Sequence, residues 1–171
     1  MSKALLVIDV QNDYFPEGKF PLWNTEATLA SVERAIEKAK ATGVHVIVVQ
    51  HVANPKMGIS PFFNSGTPGA EVHPRILAIA PNAPIVTKEF ADSFVDTNLE
   101  DTLSKFGVTE LFVCGMMTQN CVTHTAISKS AEKYKVTILA DACTTVDVMI
   151  HNIALHAVST RAKLAPIDEA M

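Results

Sequence analysis

ALLVID, Ala4 to Asp9, is a continuous apolar run that ends on a charge. A strand with one wet face alternates apolar and polar residues. This run does not alternate, so it reads as a strand buried on both faces, as in a parallel sheet. The same signature returns at VHVIVVQ (Val44 to Gln50), APIVTK (Ala83 to Lys88), ELFVCG (Glu110 to Gly115) and KVTILAD (Lys135 to Asp141), with a weaker copy at KLAPI (Lys163 to Ile167). Helical patterns lie between the runs. Thr25 to Thr42 carries Leu29, Val32, Ala35, Ile36 and Ala39 at helical spacing, and Gly43 stands at the usual stop position. Further helices are predicted over about Thr97 to Phe106, Asn120 to Tyr134 and Val148 to Ala162, with a short helical turn at His73 to Ala80. Strand and helix in alternation give an α/β fold whose right-handed crossovers cover both faces of a parallel sheet.

Such sheets bind ligands beyond the carboxyl ends of their strands. Asp9, Gln50, Lys88, Gly115 and Asp141 occupy those positions here. The two long irregular stretches, Val10 to Asn24 and His51 to Val72, also follow strand ends. Loops of that length in a compact domain are more often functional than idle.

Composition narrows the function classes. The chain has 171 residues, 48% hydrophobic and 19% charged, and its formal net charge is -4. One domain spanning 1–171 is expected, large enough to bury its own core. No basic block offers the positive face that nucleic-acid binding needs. Asp9 breaks the first apolar run far short of the ~20 residues of a membrane span, and the same break argues against a leader. Cys114, Cys121 and Cys143 are an odd count without a CxxC, which points to free thiols and a cytoplasmic location.

Asp9, Lys88 and Cys121 could form one reactive cluster. Asp9 and Lys88 close strands, and Cys121 follows GMMTQN at the predicted start of a helix. An ammonium and a helix N-terminus both favour a thiolate, so Cys121 is expected to alkylate well below pH 8.5 and faster than the other two cysteines. Asp9 could hold Lys88 and carry the thiol proton to a leaving group. Backbone N–H groups before Cys121 could receive an oxyanion. Each residue also has a plain alternative: a turn aspartate, a solvated lysine and a packed cysteine.

The blocks ALLVIDVQNDYF, PIVTKEFADSFVDTNLEDTL and LFVCGMMTQNCVTHTA, with GTPGAEVHP and VTILADACTT, resemble the signature of isochorismatase-like cysteine hydrolases over nearly the whole chain. The resemblance implies a three-layer sandwich with a six-stranded parallel sheet of order 3-2-1-4-5-6. It implies a catalytic triad of Asp9, Lys88 and Cys121. It also implies a cis peptide at Met116–Met117, with the Met117 and Cys121 N–H groups as oxyanion hole. Isochorismatases, which cleave a vinyl ether, lack the cysteine, so Cys121 places the chain with the amide-hydrolysing branch. Nicotinamidases in that branch bind metal through an Asp-x-His after the second strand. Here that stretch reads His51-Val52-Ala53, and Pro61 to Ser65 holds no further histidine. No metal and no cofactor are therefore expected.

The expectation is a metal-independent cysteine hydrolase that cleaves the C–N bond of a small amide through a thioester. The alternatives are a non-catalytic or an ether-hydrolysing member of the same fold. Phe15, Phe62 and Phe63 are candidates for an apolar wall around the substrate, with His51 lining the pocket. Glu71 reads equally as an acid beside the triad or as a surface residue. His73 reads as a loop-fixing residue, Cys114 as inert, and Cys143 as packing or a redox thiol. His124, three residues after Cys121, would form a dyad only if it pointed back to the helix end. The apolar excess and the family resemblance suggest a homo-oligomer.

Overall fold

The computed structural model describes Met1–Met171. Six strands are present: β1 (Ser2–Ile8), β2 (His45–His51), β3 (Ile85–Lys88), β4 (Val108–Met116), β5 (Lys135–Thr144) and β6 (Lys163–Ala165). The helices are α1 (Thr25–Ala41), α2 (Pro74–Ile79), α3 (Leu99–Lys105), α4 (Thr123–Ala126), α5 (Val148–Val158) and α6 (Ile167–Ala170). The sheet runs β3-β2-β1-β4-β5-β6, with every neighbouring pair parallel. No helix is long and apolar enough to cross a membrane.

The unbroken apolar reading of β1 has its cause in two cores. Leu5 and Val7 enter a cluster with Leu29, Val32 and Ile36 of α1. Ala4, Leu6 and Ile8 enter a second one with Leu99 and Leu103 of α3. Side chains alternate between faces along a strand, so a strand covered on both sides must be apolar at every position. Each large side chain so buried contributes about 1.5–3 kcal/mol.

β1 and β4 meet most closely at the end that carries the site. Gly115 pairs with Ile8 and has φ +120°; a Cβ there would lie 2.0 Å from the Ile8 carbonyl oxygen. Only glycine fits. This close approach sets Asp9, next after Ile8, near the loop that follows Met116.

One predicted helix is broken. The stretch read as Asn120 to Tyr134 is a π turn over Thr118–Val122, the four residues of α4, and a 3-10 turn over Lys129–Lys133. Side-chain bonds compete with the helix here. The Thr125 hydroxyl is tied to Ser93, whose N–H donates to it at 3.0 Å, and Ser128 caps Ser130.

Candidate active site

Three strand ends deliver the central groups. Asp9 follows β1 with φ +52°, which an aspartate tolerates better than most residues. Its N–H donates to the Val49 carbonyl at 3.0 Å, tying it to β2. Lys88 is the last residue of β3, and Cys121 lies in the π turn after β4. All three side chains are buried. Lys88 Nζ stands 3.0 Å from Asp9 Oδ2 and donates to Cys121 Sγ at 3.2 Å. It also donates to the Phe90 carbonyl and contacts His51 Nδ1, both at 2.9 Å. An ammonium has only donors, so Nδ1 is the accepting nitrogen of His51 and the ring proton sits on Nε2. Neither Asp9 oxygen accepts a well-aimed hydrogen bond, so charge and proximity hold that pair.

Burial opposes the charged form of Lys88, but the Asp9 carboxylate and the Cys121 sulfur outweigh it and raise its pKa. Burial, and then the Lys88 ammonium, push His51 down, so the ring is neutral at pH 7. The thiol departs from the sequence-based expectation. Burial and then the Asp9 carboxylate raise the Cys121 pKa beyond what Lys88 lowers it. The thiol is therefore protonated at rest, and no long helix follows to draw the pKa down. Burial also raises Cys114, and it pushes Cys143 up to about 12.

The sign of this effect sets a prediction. Unfolded thiols ionise from ~8.5 upward, while the buried ones keep their protons. The folded state then binds more protons, so stability is full below that value and falls as pH rises above it. Alkylation of Cys121 by iodoacetamide should keep rising with pH through 9. A rate plateau below pH 8 would mean a resting thiolate and contradict the protonated state.

The Met116–Met117 peptide is cis. The Met117 carbonyl accepts from the Asn120 and Val122 N–H groups, at 3.0 and 3.3 Å, while its own N–H reaches no backbone carbonyl. His151, on α5, holds this turn through its Nδ1, 2.8 Å from the Thr118 hydroxyl.

Gln11 and Asp13, which sequence reasoning passed over, brace the opposite wall. Gln11 is buried and pairs with residue 51 at both its peptide groups: it donates to the His51 carbonyl at 2.7 Å and accepts from the His51 N–H at 2.8 Å. Asp13 accepts from the Phe63 N–H at 2.7 Å and the Lys19 N–H at 3.1 Å. Three consecutive polar residues between apolar neighbours, QND at 11–13 between Val10 and Tyr14, were the available signal.

The aromatic candidates sit behind the site. Phe15 packs on His73, and Phe62 stacks on Phe20. Phe63 lies edge-on to Tyr14 and 5.8 Å from the His51 ring, backing that ring. The cleft that opens over His51 is instead lined by Asn54, Met57, Ile59, Glu89 and Phe90, with a volume of about 460 Å³. Glu71 is exposed. His73 caps α2 by accepting from the Arg75 N–H. His124 is exposed, with Nδ1 2.8 Å from the Asn120 carbonyl oxygen.

Asp9, His51 and Cys121 offer three metal-ligand atoms within 4.8 Å of one another. All three lie against the Lys88 ammonium, at 3.0, 2.9 and 3.2 Å. A divalent ion among them would face that cation directly, and Ala53 supplies no ligand. These residues do not fit a metal.

The isochorismatase domain matches residues 3–168. An isochorismatase family protein of Bacillus subtilis is 38% identical, covering 89% of this chain and 83% of that protein. A streptothricin hydrolase of Streptomyces noursei is 34% identical, covering 85% of this chain and 56% of that protein. The crystal structure of an isochorismatase hydrolase from Oleispira antarctica superposes with a TM-score of 0.86 at 32% identity, covering 98% of this chain and 95% of that one. The strand order, the strand-end Asp-Lys-Cys cluster and these matches together establish that the chain belongs to the isochorismatase family of hydrolases.

Proposed function

We propose that the protein is a metal-independent cysteine hydrolase that cleaves the C–N bond of a small amide through a thioester on Cys121. The observation that carries this reading is the buried Lys88 ammonium held between the Asp9 carboxylate, at 3.0 Å, and the Cys121 sulfur, at 3.2 Å.

The resting thiol is protonated, so attack and proton transfer go together. Cys121 Sγ bonds to the amide carbon as its proton passes to Asp9. Lys88 stays beside the sulfur while the negative charge moves from the Asp9 carboxylate to the carbonyl oxygen of the amide. The tetrahedral oxyanion accepts from the Met117 and Cys121 N–H groups, where removing a donor typically costs ~10²–10³ in rate. Asp9 returns the proton to the departing nitrogen, the C–N bond breaks, and ammonia or an amine leaves. Water then attacks the thioester, giving its proton to Asp9, and Cys121 recovers a proton as the acid is released.

Primary amides screened with ammonia detection, against Cys121→Ala as blank, test the reaction. Activity should survive exhaustive chelation without loss. An enzyme inactivated by the chelator and restored by zinc would overturn the metal-independent reading.

A further inference from the structure

We propose that the cleft selects cationic amides, small amides whose non-reacting end bears an amine or guanidine, and that Glu89 makes the selection. The inference rests on the amidase reading above and adds the substrate's charge to it.

Glu89 is the only carboxylate lining the cleft, and no lysine or arginine lines it. The other titratable lining residue, His51, is neutral because burial and Lys88 hold its pKa down. Behind the floor, Asp9 and Lys88 form a buried ion pair that cancels, and Cys121 keeps its proton. Lys56 lies on the loop that carries Met57 but is not among the lining residues. One negative charge therefore remains uncompensated.

Glu89 is also held in place. Its Oε2 accepts from Asn54 Nδ2 at 3.1 Å, and Asn54 is itself a lining residue. Chain continuity sets Glu89 directly after Lys88 and directly before Phe90, whose carbonyl anchors the Lys88 ammonium. The Glu89 charge is felt at the His51 ring, which lines the cleft and whose Nδ1 contacts the Lys88 ammonium. Met57, Ile59 and Phe90 supply apolar surface for a spacer between amide and cation. A substrate carboxylate in the cleft would meet repulsion from Glu89 and no lining lysine or arginine.

The test compares hexanamide, 6-aminohexanamide and the monoamide of adipic acid, which share a chain length and differ in charge. The wild type should rank them cation, neutral, anion in kcat/KM. Glu89→Gln should lower the value for 6-aminohexanamide about fivefold, the size of an exposed charge interaction. The same change should raise the anionic amide relative to hexanamide, and added salt should shrink the wild-type preference. Glu89→Asp should retain the preference. A second readout does not depend on amide turnover: the ratio of Cys121 alkylation by iodoacetate to that by iodoacetamide should rise about fivefold in Glu89→Gln. Amides cleaved without regard to charge, or a ratio unmoved by Glu89→Gln, would overturn the selection by Glu89 and leave the amidase reading intact. Failure of the wild type on every amide, with the alkylation ratio still responding, would overturn the amidase reading and with it the cationic-amide class, leaving only the charge of the cleft.

Discussion

Asp9→Asn should lower kcat by about 10²–10⁴-fold, the usual worth of a positioned acid–base group, and still fold. The fold survives because Lys88 keeps its contacts to His51 Nδ1, the Phe90 carbonyl and Cys121 Sγ. The same substitution should also shift the nucleophile. The Asp9 carboxylate raises the Cys121 pKa and Lys88 lowers it, so removing the carboxylate leaves the ammonium to pair with a thiolate. Cys121 in Asp9→Asn should therefore alkylate faster than in the wild type at pH 7 while turning over far less substrate. A kcat loss without faster alkylation would mean that Asp9 does not set the thiol's proton.

Lys88→Met should give the largest loss of stability, about 3–5 kcal/mol, because it strands a buried charge. The Asp9 side chain is fully buried, and Lys88 Nζ at 3.0 Å is its closest cation. Its oxygens accept no well-aimed hydrogen bond that could take over. The double variant Asp9→Asn/Lys88→Met removes the stranded charge and should recover most of the loss. Urea unfolding of the two single variants and the double closes that cycle. Equal losses in Lys88→Met and the double variant would show that Lys88 acts through packing and not through charge.

Much of this site was legible because its groups follow strand ends, and strand ends are marked in the sequence. The runs at Ala4 and Glu110 were apolar at consecutive positions because both faces of the sheet are covered there, whereas β3, an edge strand, alternates exposed and buried residues despite its apolar run; all six strands lie within a few residues of the predicted bounds. A parallel sheet then sends Asp9 and Lys88 to one edge. Features that depend on contacts between distant segments were not legible. Gln11 reaches residue 51 through two hydrogen bonds across 40 positions, and Asp13 reaches Phe63 across 50. Nothing local to either residue announces the partner. The upward pull on the Cys121 thiol was not legible for a related reason. Sequence placed it by an ammonium and a helix start, but its pKa follows burial and the Asp9 carboxylate. The ring contacts of the wall candidates were likewise hidden: Phe62 and Phe63 pack on each other and on Tyr14, and Phe15 packs on His73. The cleft fell to Met57, Ile59 and Phe90, whose exposure no local pattern marks.

The central claim is a covalent bond at one sulfur, and intact-mass analysis of the enzyme quenched during turnover of a slow amide tests it most directly. One adduct with the mass of the substrate's acyl group is expected, located on the peptide carrying Cys121. None should appear on Cys114 or Cys143, and none in Cys121→Ala, which should also show no turnover above background. Amide hydrolysis by Cys121→Ala at the wild-type rate, or an acyl group carried on any other residue, would contradict it.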